Sequence, residues 1–455
     1  MERSIDNYLI EWKERENHKP LILRGARQVG KTYSVDKLAA SQFDNYIKIN
    51  LEEEPMLKGL FEQNNVDKII EELSVYSGKE IKPSKTLVFI DEIQTSPKAI
   101  QVLRYFFERY PLLHVIAAGS LLDHTLNEIN YSMPVGRVEY CYMYPLSFYE
   151  FLNAVGEEKL VNYILKYDLA TEFSELLHNK IMELLRLYYF IGGMPEAVKS
   201  YINNKQLNEI ERIQNDIVTS FKLDFSKYGN RRQLEYLQKV FSYSALNSGK
   251  KVKFATIDSS IRSDYLKDAY NKLNLSRIIH KVAHTNSTTA PFTNGIDEKV
   301  FKTIFLDIGL ANQIGGIQLI ELNKLITSHE GILAEQFVGQ ELIANHKKYI
   351  DSQLFYWVRE AKSSNAEIDF LFQYNNTALP IEVKAGKSGT LKSMHVFLSE
   401  KNKNLGIRFN ADLPSLGNFT TSVRNGKELN YKLISLPIYM AGHLHEILLS
   451  NFETT

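Results

Sequence analysis

The chain has 455 residues, with 54 Lys or Arg and 54 Asp or Glu, so its formal net charge is zero. We expect two or three domains, because one ordinary core does not grow to this size. The balanced charge excludes a nucleic-acid footprint over the whole protein, so any such surface must be regional. The single cysteine excludes an intrachain disulfide framework and a cysteine-based zinc cluster.

The first residues carry several charges, which no signal peptide tolerates. No apolar run approaches the roughly 18 residues of a transmembrane helix. We therefore expect a cytoplasmic protein that does not contact a membrane. The first element, residues 4–16, has the period of an amphipathic helix, with Ile5, Leu9 and Trp12 on one face.

A glycine-rich loop follows the apolar run Leu21–Leu23. Its sequence, GARQVGKT, fits G-x-x-x-x-G-K-[ST], and a segment of helix formers comes next. Backbone N–H groups of such a loop and the dipole of the next helix stabilise a phosphate. Lys31 would contact the β- and γ-phosphates, and the Thr32 hydroxyl would hold Mg²⁺. The predicted nucleotide-binding residues are Gly25, Ala26, Arg27, Gln28, Val29, Gly30, Lys31 and Thr32.

Residues 86–94, TLVFIDEIQ, predict a central parallel strand that ends in two carboxylates. Asp91 would lie beside the glycine-rich loop and support Mg²⁺, and Glu92 would polarise the attacking water. A helix from Pro97 and a further buried strand, residues 114–120, come next. Ser120 at the end of that strand is either a sensor of the γ-phosphate or a serine that terminates a strand.

The segments GARQVGKT, FIDEIQ, AAGSLL and PVGRVEYCYMYPLSFYEFL together resemble the prokaryotic AAA+-type ATPases that are fused to a C-terminal domain of unknown function. The resemblance covers nearly the whole chain and favours ATP over GTP. It implies that Arg137 is a sensor or finger arginine that neutralises transition-state charge, although a surface ion pair explains this arginine equally well. It also implies that Pro195, after Gly192 and Gly193, contacts the adenine base; a plain helix–helix turn is the alternative.

Residues 227–281 hold twelve Lys or Arg against four Asp or Glu. The order of helix, turn, helix and strand in this region is that of a winged helix, whose second helix, 263–273, would enter a major groove. A solvated basic face on a helical lid is the alternative. The side chains expected to contact nucleic-acid phosphates are Lys250, Lys251, Lys253, Arg262, Lys267, Lys272 and Arg277.

A second set of charged residues lies near the C-terminus. Glu335 falls on a predicted helix, Asp369 on the strand EIDFLF, and Glu382 and Lys384 on the strand LPIEVK. Asp369 and Glu382 could share Mg²⁺, and Lys384 could activate water or stabilise a phosphate. This order is similar to the PD-(D/E)xK nuclease core, which implies that Glu335, Asp369, Glu382 and Lys384 are catalytic. Ile368 replaces the proline of that pattern.

The predicted fold class is α/β: an AAA+-like P-loop NTPase domain with a parallel sheet, a helical and winged-helix middle, and a restriction-endonuclease-like C-terminal domain. The expected ranges are 1–155 for the ATPase domain, 156–225 for a helical lid, 226–298 for the basic domain and 299–455 for the nuclease-like domain. We expect an ATPase that uses ATP and Mg²⁺, acts on nucleic acid, DNA in particular, and can form a homo-oligomer, with a Mg²⁺-dependent DNA nuclease in its C-terminal domain as a further activity. One alternative is a nucleotide-dependent switch whose C-terminal domain binds DNA or a protein without cleaving; another is a motor on nucleic acid.

Overall fold

A computed structural model describes residues 1–119, 134–316, 330–359, 366–386, 390–422 and 428–452. The chain divides into two compact units. The first unit comprises residues 1–145, 275–278 and 346–351, and the second comprises 146–274, 279–345 and 352–455.

The first unit is built on a parallel sheet with the strand order β2-β3-β4-β1-β5. Its main elements are α1 (Ser4–Glu14), β1 (Leu21–Arg24), α2 (Lys31–Gln42), β2 (Asn45–Asn50), α3 (Val66–Ser77), β3 (Thr86–Asp91), α4 (Pro97–Arg109), β4 (His114–Gly119) and β5 (Glu139–Tyr142). Every residue of β3 and β4 is buried, as expected for central strands of a parallel sheet. Because the strands are parallel, β1, β3 and β4 end at one edge of the sheet.

Helix α1 packs on this unit through the apolar face that its sequence predicts, since Ile5, Leu9 and Trp12 are buried. An ion pair of 2.7 Å between Lys37 Nζ and Asp6 Oδ2 joins α2 to α1. The start of α1 is thereby held beside the helix that begins at the glycine-rich loop.

The second unit begins with helices and continues into a mixed sheet. Its elements are α5 (Phe148–Ala154), α6 (Glu158–Leu165), α7 (Glu175–Ile191), α8 (Pro195–Asn204), α9 (Leu207–Asp224), α10 (Arg231–Leu246), α11 (Phe254–Ile257), α12 (Ser263–Leu275), β6 (Ile279–Thr285), β7 (Ile296–Phe305), α13 (Ile308–Ile314), α14 (Glu330–Ala344), β8 (Leu354–Val358), β9 (Glu367–Tyr374), β10 (Thr377–Val383), α15 (Lys392–Glu400), β11 (Leu405–Asn410), β12 (Ser415–Ser422), β13 (Glu428–Pro437) and α16 (Leu444–Phe452).

The eight-stranded sheet has the order β12-β13-β11-β10-β9-β8-β6-β7. The pairs β6/β7, β8/β9, β9/β10 and β12/β13 are antiparallel, and β6/β8, β10/β11 and β11/β13 are parallel. Helix α14 packs against β7, β8 and β10, while α15 packs against β9, β10, β11 and β13. Strands β9 and β10, which carry Asp369 and Glu382, are therefore adjacent in the interior of the sheet.

The predicted ranges 156–225, 226–298 and 299–455 fall within the second unit, except for residues 275–278 and 346–351, which belong to the first. The expected boundary after residue 298 lies inside β7, which pairs with β6, and β6 pairs in turn with β8. The strands that follow the basic helices thus belong to the C-terminal sheet, because backbone hydrogen bonds join them. Within the described part of the chain, no helix combines the length and the apolar character needed to cross a membrane.

Candidate functional site

The glycine-rich loop lies between β1 and α2, at the edge where the parallel strands end. A Cβ atom on Gly25 would lie 2.2 Å from the backbone oxygen of Met143, so this close approach requires glycine. Gly30, immediately before α2, has φ of 97°, in the left-handed region that favours glycine. Both glycines of the motif are thus needed for the backbone conformation of the loop. The N–H groups that follow lie at a helix N-terminus, where phosphates bind.

Lys31 begins α2 and its side chain lies against the loop. Its Nζ donates hydrogen bonds to the carbonyl oxygens of Gly25, at 3.0 Å, and Ala26, at 2.8 Å. Burial lowers the pKa of Lys31 to about 8, and the nearby carboxylates Glu92 and Asp91 oppose this shift. A buried ammonium group at this position is suited to neutralise a phosphate.

Thr32 and Asp91 come together as predicted. The Thr32 hydroxyl donates to Asp91 Oδ2 at 2.8 Å, although 59 residues separate them in the chain. Hydroxyl and carboxylate oxygens are ligands that Mg²⁺ accepts, together with waters and phosphate oxygens. These two residues therefore fit a magnesium ion beside the phosphate loop.

Glu92 follows the end of β3 in the left-handed backbone region, with φ of 51°. Its Oε2 accepts a hydrogen bond from the Gln94 side-chain amide, which orients the carboxylate. The other end of the Gln94 amide packs against Gly119, where a Cβ atom would lie 2.1 Å from Gln94 Oε1. Ser120 lies outside the described residues, so its predicted role as a sensor stays a prediction.

Arg3 is a residue of this site that sequence reasoning missed. Its side chain is buried and donates to the carbonyl oxygens of Val29, at 3.1 Å, and Tyr144, at 2.7 Å. The guanidinium thus joins the glycine-rich loop to the segment after β5. No motif marks such a residue, because its partners are backbone atoms far away in the sequence.

Two further predicted nucleotide contacts have other surroundings. Arg137 is half-exposed, and its Nε donates to Glu108 Oε1 at 3.1 Å, which is the surface ion pair that the sequence left as the alternative. Pro195 begins α8 in the second unit, after Gly192 with φ of 73°. That unusual backbone is held by Asp307, whose Oδ2 accepts a hydrogen bond from the Gly193 N–H at 2.6 Å.

The C-terminal set of charged residues also comes together. Glu382 Oε2 and Lys384 Nζ form an ion pair of 2.7 Å, and Asp369 Oδ2 accepts a hydrogen bond from the Val383 N–H at 2.8 Å. Burial, and then the charge of Asp369, raise the pKa of Glu335 to about 8 and that of Glu382 to about 7. Such shifts indicate that carboxylates from α14, β9 and β10 are crowded into one partly buried cluster.

The same cluster contains Lys302, which sequence reasoning missed. Its ammonium nitrogen lies 2.6 Å from Glu367 Oε1, 3.3 Å from Glu335 Oε2 and 3.6 Å from Asp369 Oδ1. Burial alone would lower the pKa of Lys302, but the three carboxylates together raise it above its usual value. We call Lys302, Glu335, Glu367, Asp369, Glu382 and Lys384 the C-terminal charged cluster.

This arrangement does not fit the magnesium ion that the nuclease resemblance implies for Asp369 and Glu382. The Lys302 ammonium lies 3.6 Å from Asp369 Oδ1, and Asp369 Oδ2 accepts a hydrogen bond from the Val383 N–H. Over the residues that the structure describes, no group of three or more His, Cys, Asp or Glu side chains has an arrangement that could hold a metal ion.

Two basic side chains of residues 227–281 that we expected to contact phosphates are paired with carboxylates of the protein. Arg277 is buried and makes two bonds to the Asp351 carboxylate, of 2.8 and 2.9 Å, so it is not the phosphate contact we expected. Lys251 Nζ pairs with Glu367 Oε2 at 2.7 Å, so this lysine contacts the C-terminal charged cluster. Arg262, just before α12, and Lys267, on α12, are exposed.

A glycine-rich loop between a buried strand and a helix, with its threonine hydrogen-bonded to an aspartate at the end of a second strand, defines a P-loop nucleotide-binding domain. Residues 17–152 match the AAA domain family. Most of this match lies in the first unit, which holds the glycine-rich loop. Residues 182–321 and 330–432 match two families described as domains of unknown function, DUF8612 and DUF4143. The comparison with curated proteins found no match.

The chain is similar to several solved structures. The Walker-type ATPase PABY2304 of Pyrococcus abyssi is 16% identical, with a TM-score of 0.45, over 69% of this chain and 95% of that protein. The ORC2 protein of Aeropyrum pernix, solved in ADPNP–ADP complexes, is 10% identical over 71% of this chain and 92% of its own, with a TM-score of 0.31. The RuvB Holliday junction branch migration motor of Thermotoga maritima is 15% identical over 61% and 89%, with a TM-score of 0.28. Function has to be argued from the site itself.

Proposed function

We propose that the first unit binds ATP with Mg²⁺ and hydrolyses it. The observation that carries this proposal is the hydrogen bond of 2.8 Å between Thr32 and Asp91 beside the Lys31 ammonium. When bound, Mg²⁺ neutralises charge on the β- and γ-phosphates. Thr32 and Asp91 would hold the ion, and Lys31 would place its positive charge against the same phosphates.

Glu92 is the residue that we propose to act on the attacking water. Its carboxylate is oriented by Gln94, and it accepts a proton or a hydrogen bond from water as a general base does. Replacing Glu92 by Gln keeps the shape and removes the base. General bases contribute about 10²–10⁴-fold in rate, so a loss of that size identifies the role.

The test is phosphate release from ATP and Mg²⁺ by the full-length protein and by Glu92→Gln. We expect hydrolysis by the wild type, a loss of about 100-fold or more in Glu92→Gln, and retained ATP binding. The exposed carboxylate Glu71 on α3 supplies the matched control, because Glu71→Gln makes the same chemical change on a helix and not at the strand end. Wild type that binds ATP but releases no phosphate would overturn the proposal of hydrolysis.

For the second unit we propose nucleic-acid binding without cleavage. Helices α10 and α12 are followed by the antiparallel hairpin β6–β7, which is the element order of a winged helix. Exposed Arg262 and Lys267 lie at this helix and can contact phosphates. Cleavage is the competing hypothesis, and Lys302 within the C-terminal charged cluster argues against its metal ion.

The binding part is tested with Arg262→Glu/Lys267→Glu, which should weaken DNA binding and flatten its dependence on salt. The control is Lys199→Glu/Lys205→Glu, the same charge change on exposed lysines on and directly after α8. Equal DNA affinity of the two double variants at low salt would show that α12 is not the contact.

The cleavage part is tested with supercoiled plasmid and Mg²⁺ or Mn²⁺, with and without ATP. We expect no nicking by the wild type. Nicking that disappears in Asp369→Ala/Lys384→Ala would instead establish a nuclease. Whether ATP changes the rate would then show if nucleotide controls the C-terminal cluster.

A further inference from the structure

Lys302 lies on the edge strand β7, yet it is buried. Only 3% of its side chain is exposed, and lysine is almost never fully buried unless it is paired. Its ammonium group lies between Glu335 on α14 and Glu367 and Asp369 on β9, at 3.3, 2.6 and 3.6 Å. The ring of buried Tyr356 is 5.3 Å from the same nitrogen, so an aromatic face also contacts the cation.

The charges around Lys302 are nearly balanced by the protein itself. The cluster contains four carboxylates, and three ammonium groups pair with them. Lys251 pairs with Glu367, and Lys384 pairs with Glu382. Lys302 lies beside Glu335 and Asp369, and also beside Glu367. One unit of negative charge is left when every carboxylate is ionised. A divalent cation would therefore add more positive charge than the cluster lacks.

Both oxygens of Asp369 also have partners within the protein. Asp369 Oδ2 accepts the Val383 N–H, and Asp369 Oδ1 faces Lys302. An Mg²⁺ ion needs oxygens at about 2.0–2.1 Å in nearly ideal octahedral geometry. Any ion bound by Asp369 Oδ1 and Glu335 would thus lie directly beside the Lys302 ammonium, with like charge against like charge in a buried site.

We propose that Lys302 is the resident cation of the C-terminal charged cluster, and that it excludes divalent metal ions by taking the position one would occupy. The cluster is then a metal-free element of the sheet for as long as Lys302 is present. Replacing Lys302 by Met keeps the length of the side chain and removes the charge, so the variant should gain the metal site that the wild type lacks. This proposal is independent of whether the first unit hydrolyses ATP.

The test is equilibrium binding of Mn²⁺ to the full-length protein without nucleotide, followed by the electron paramagnetic resonance signal of the free ion. We compare the wild type, Asp369→Asn, Lys302→Met and Lys302→Met/Asp369→Asn. Binding at the P-loop is common to all four, so dependence on Asp369 isolates the cluster. The control is Lys281→Met, on the neighbouring strand β6, where the lysine contacts the Phe301 ring.

We expect Asp369→Asn to leave Mn²⁺ binding by the wild type unchanged. We expect Lys302→Met to bind one Mn²⁺ ion more than the wild type, with an affinity at least tenfold above any that the wild type shows at the cluster. We expect the double variant to lose this additional ion. Wild-type Mn²⁺ binding that disappears in Asp369→Asn would overturn the proposal, and so would a folded Lys302→Met that gains no site. If Lys302→Met does not fold, the comparison of the wild type with Asp369→Asn decides alone.

Discussion

Replacing Arg3 by Ala removes the side chain that joins the phosphate loop to the segment after β5. The guanidinium makes two buried hydrogen bonds, to Val29 O and Tyr144 O, at 3.1 and 2.7 Å. Hydrogen bonds to charged groups contribute about 1.5–3 kcal/mol each. Because water can reach part of the space that alanine leaves, we expect the first unit to lose about 3 kcal/mol of unfolding free energy.

For a unit of this size, 1 kcal/mol corresponds to roughly 2–4 °C, so the melting temperature should fall by about 6–12 °C. The loop carbonyl of Val29 directly precedes Gly30, so we also expect at least fivefold weaker binding of an ATP analogue. Differential scanning calorimetry measures the first effect and isothermal titration calorimetry the second. The matched control is Arg15→Ala at the other end of α1, whose ion pair with Glu139 is exposed and contributes about 0–1 kcal/mol.

Equal melting temperatures and equal nucleotide affinities for Arg3→Ala and Arg15→Ala would refute this reasoning. The two hydrogen bonds of Arg3 would then contribute no more than a surface ion pair. Arg3→Lys separates charge from geometry, since lysine keeps the charge but lacks the planar fork that reaches two carbonyls at once.

Two further predictions concern buried ionisable groups. Burial lowers the pKa of Lys31 to about 8, so its charged form is lost as the pH rises through this value. The affinity for a non-hydrolysable ATP analogue should therefore fall about tenfold between pH 7 and 9. An affinity that does not change with pH would contradict the role of this charge. Asp307→Ala leaves the N–H groups of Gly193 and Leu310 without their acceptor. This should lower the unfolding free energy of the second unit, measured with denaturant, by about 2–4 kcal/mol. The control Asp216→Ala, at an exposed position, should change it little.

The sequence was informative where chemistry requires a local pattern. The glycine-rich loop and the strand that ends in Asp91 were found because each is a continuous stretch of sequence with a recognisable pattern. The helix that carries Glu335 was predicted as well. The sequence also pointed to the carboxylates on neighbouring strands. These elements depend on short-range rules that act within a dozen residues.

Residues that act across the fold were missed. Arg3 contacts backbone oxygens 26 and 141 residues away, and no side-chain pattern encodes such contacts. Lys302 is separated from its carboxylate partners in sequence and looks like an ordinary polar residue of an edge strand. Glu367 could have been found, because it lies two residues before Asp369 and therefore on the same face of β9. Arg277 was misjudged because its partner, Asp351, lies 74 residues on.

The most direct test of the central claim is ATP binding in the presence of Mg²⁺, measured by isothermal titration calorimetry on the wild type, Lys31→Ala and Lys37→Ala. Both lysines lie on α2, but Lys31 is buried against the phosphate loop and Lys37 pairs with Asp6 at the surface. We predict that the wild type and Lys37→Ala bind ATP and that Lys31→Ala does not. Equal affinity of the two variants, or no binding by the wild type, would contradict the assignment of the nucleotide site.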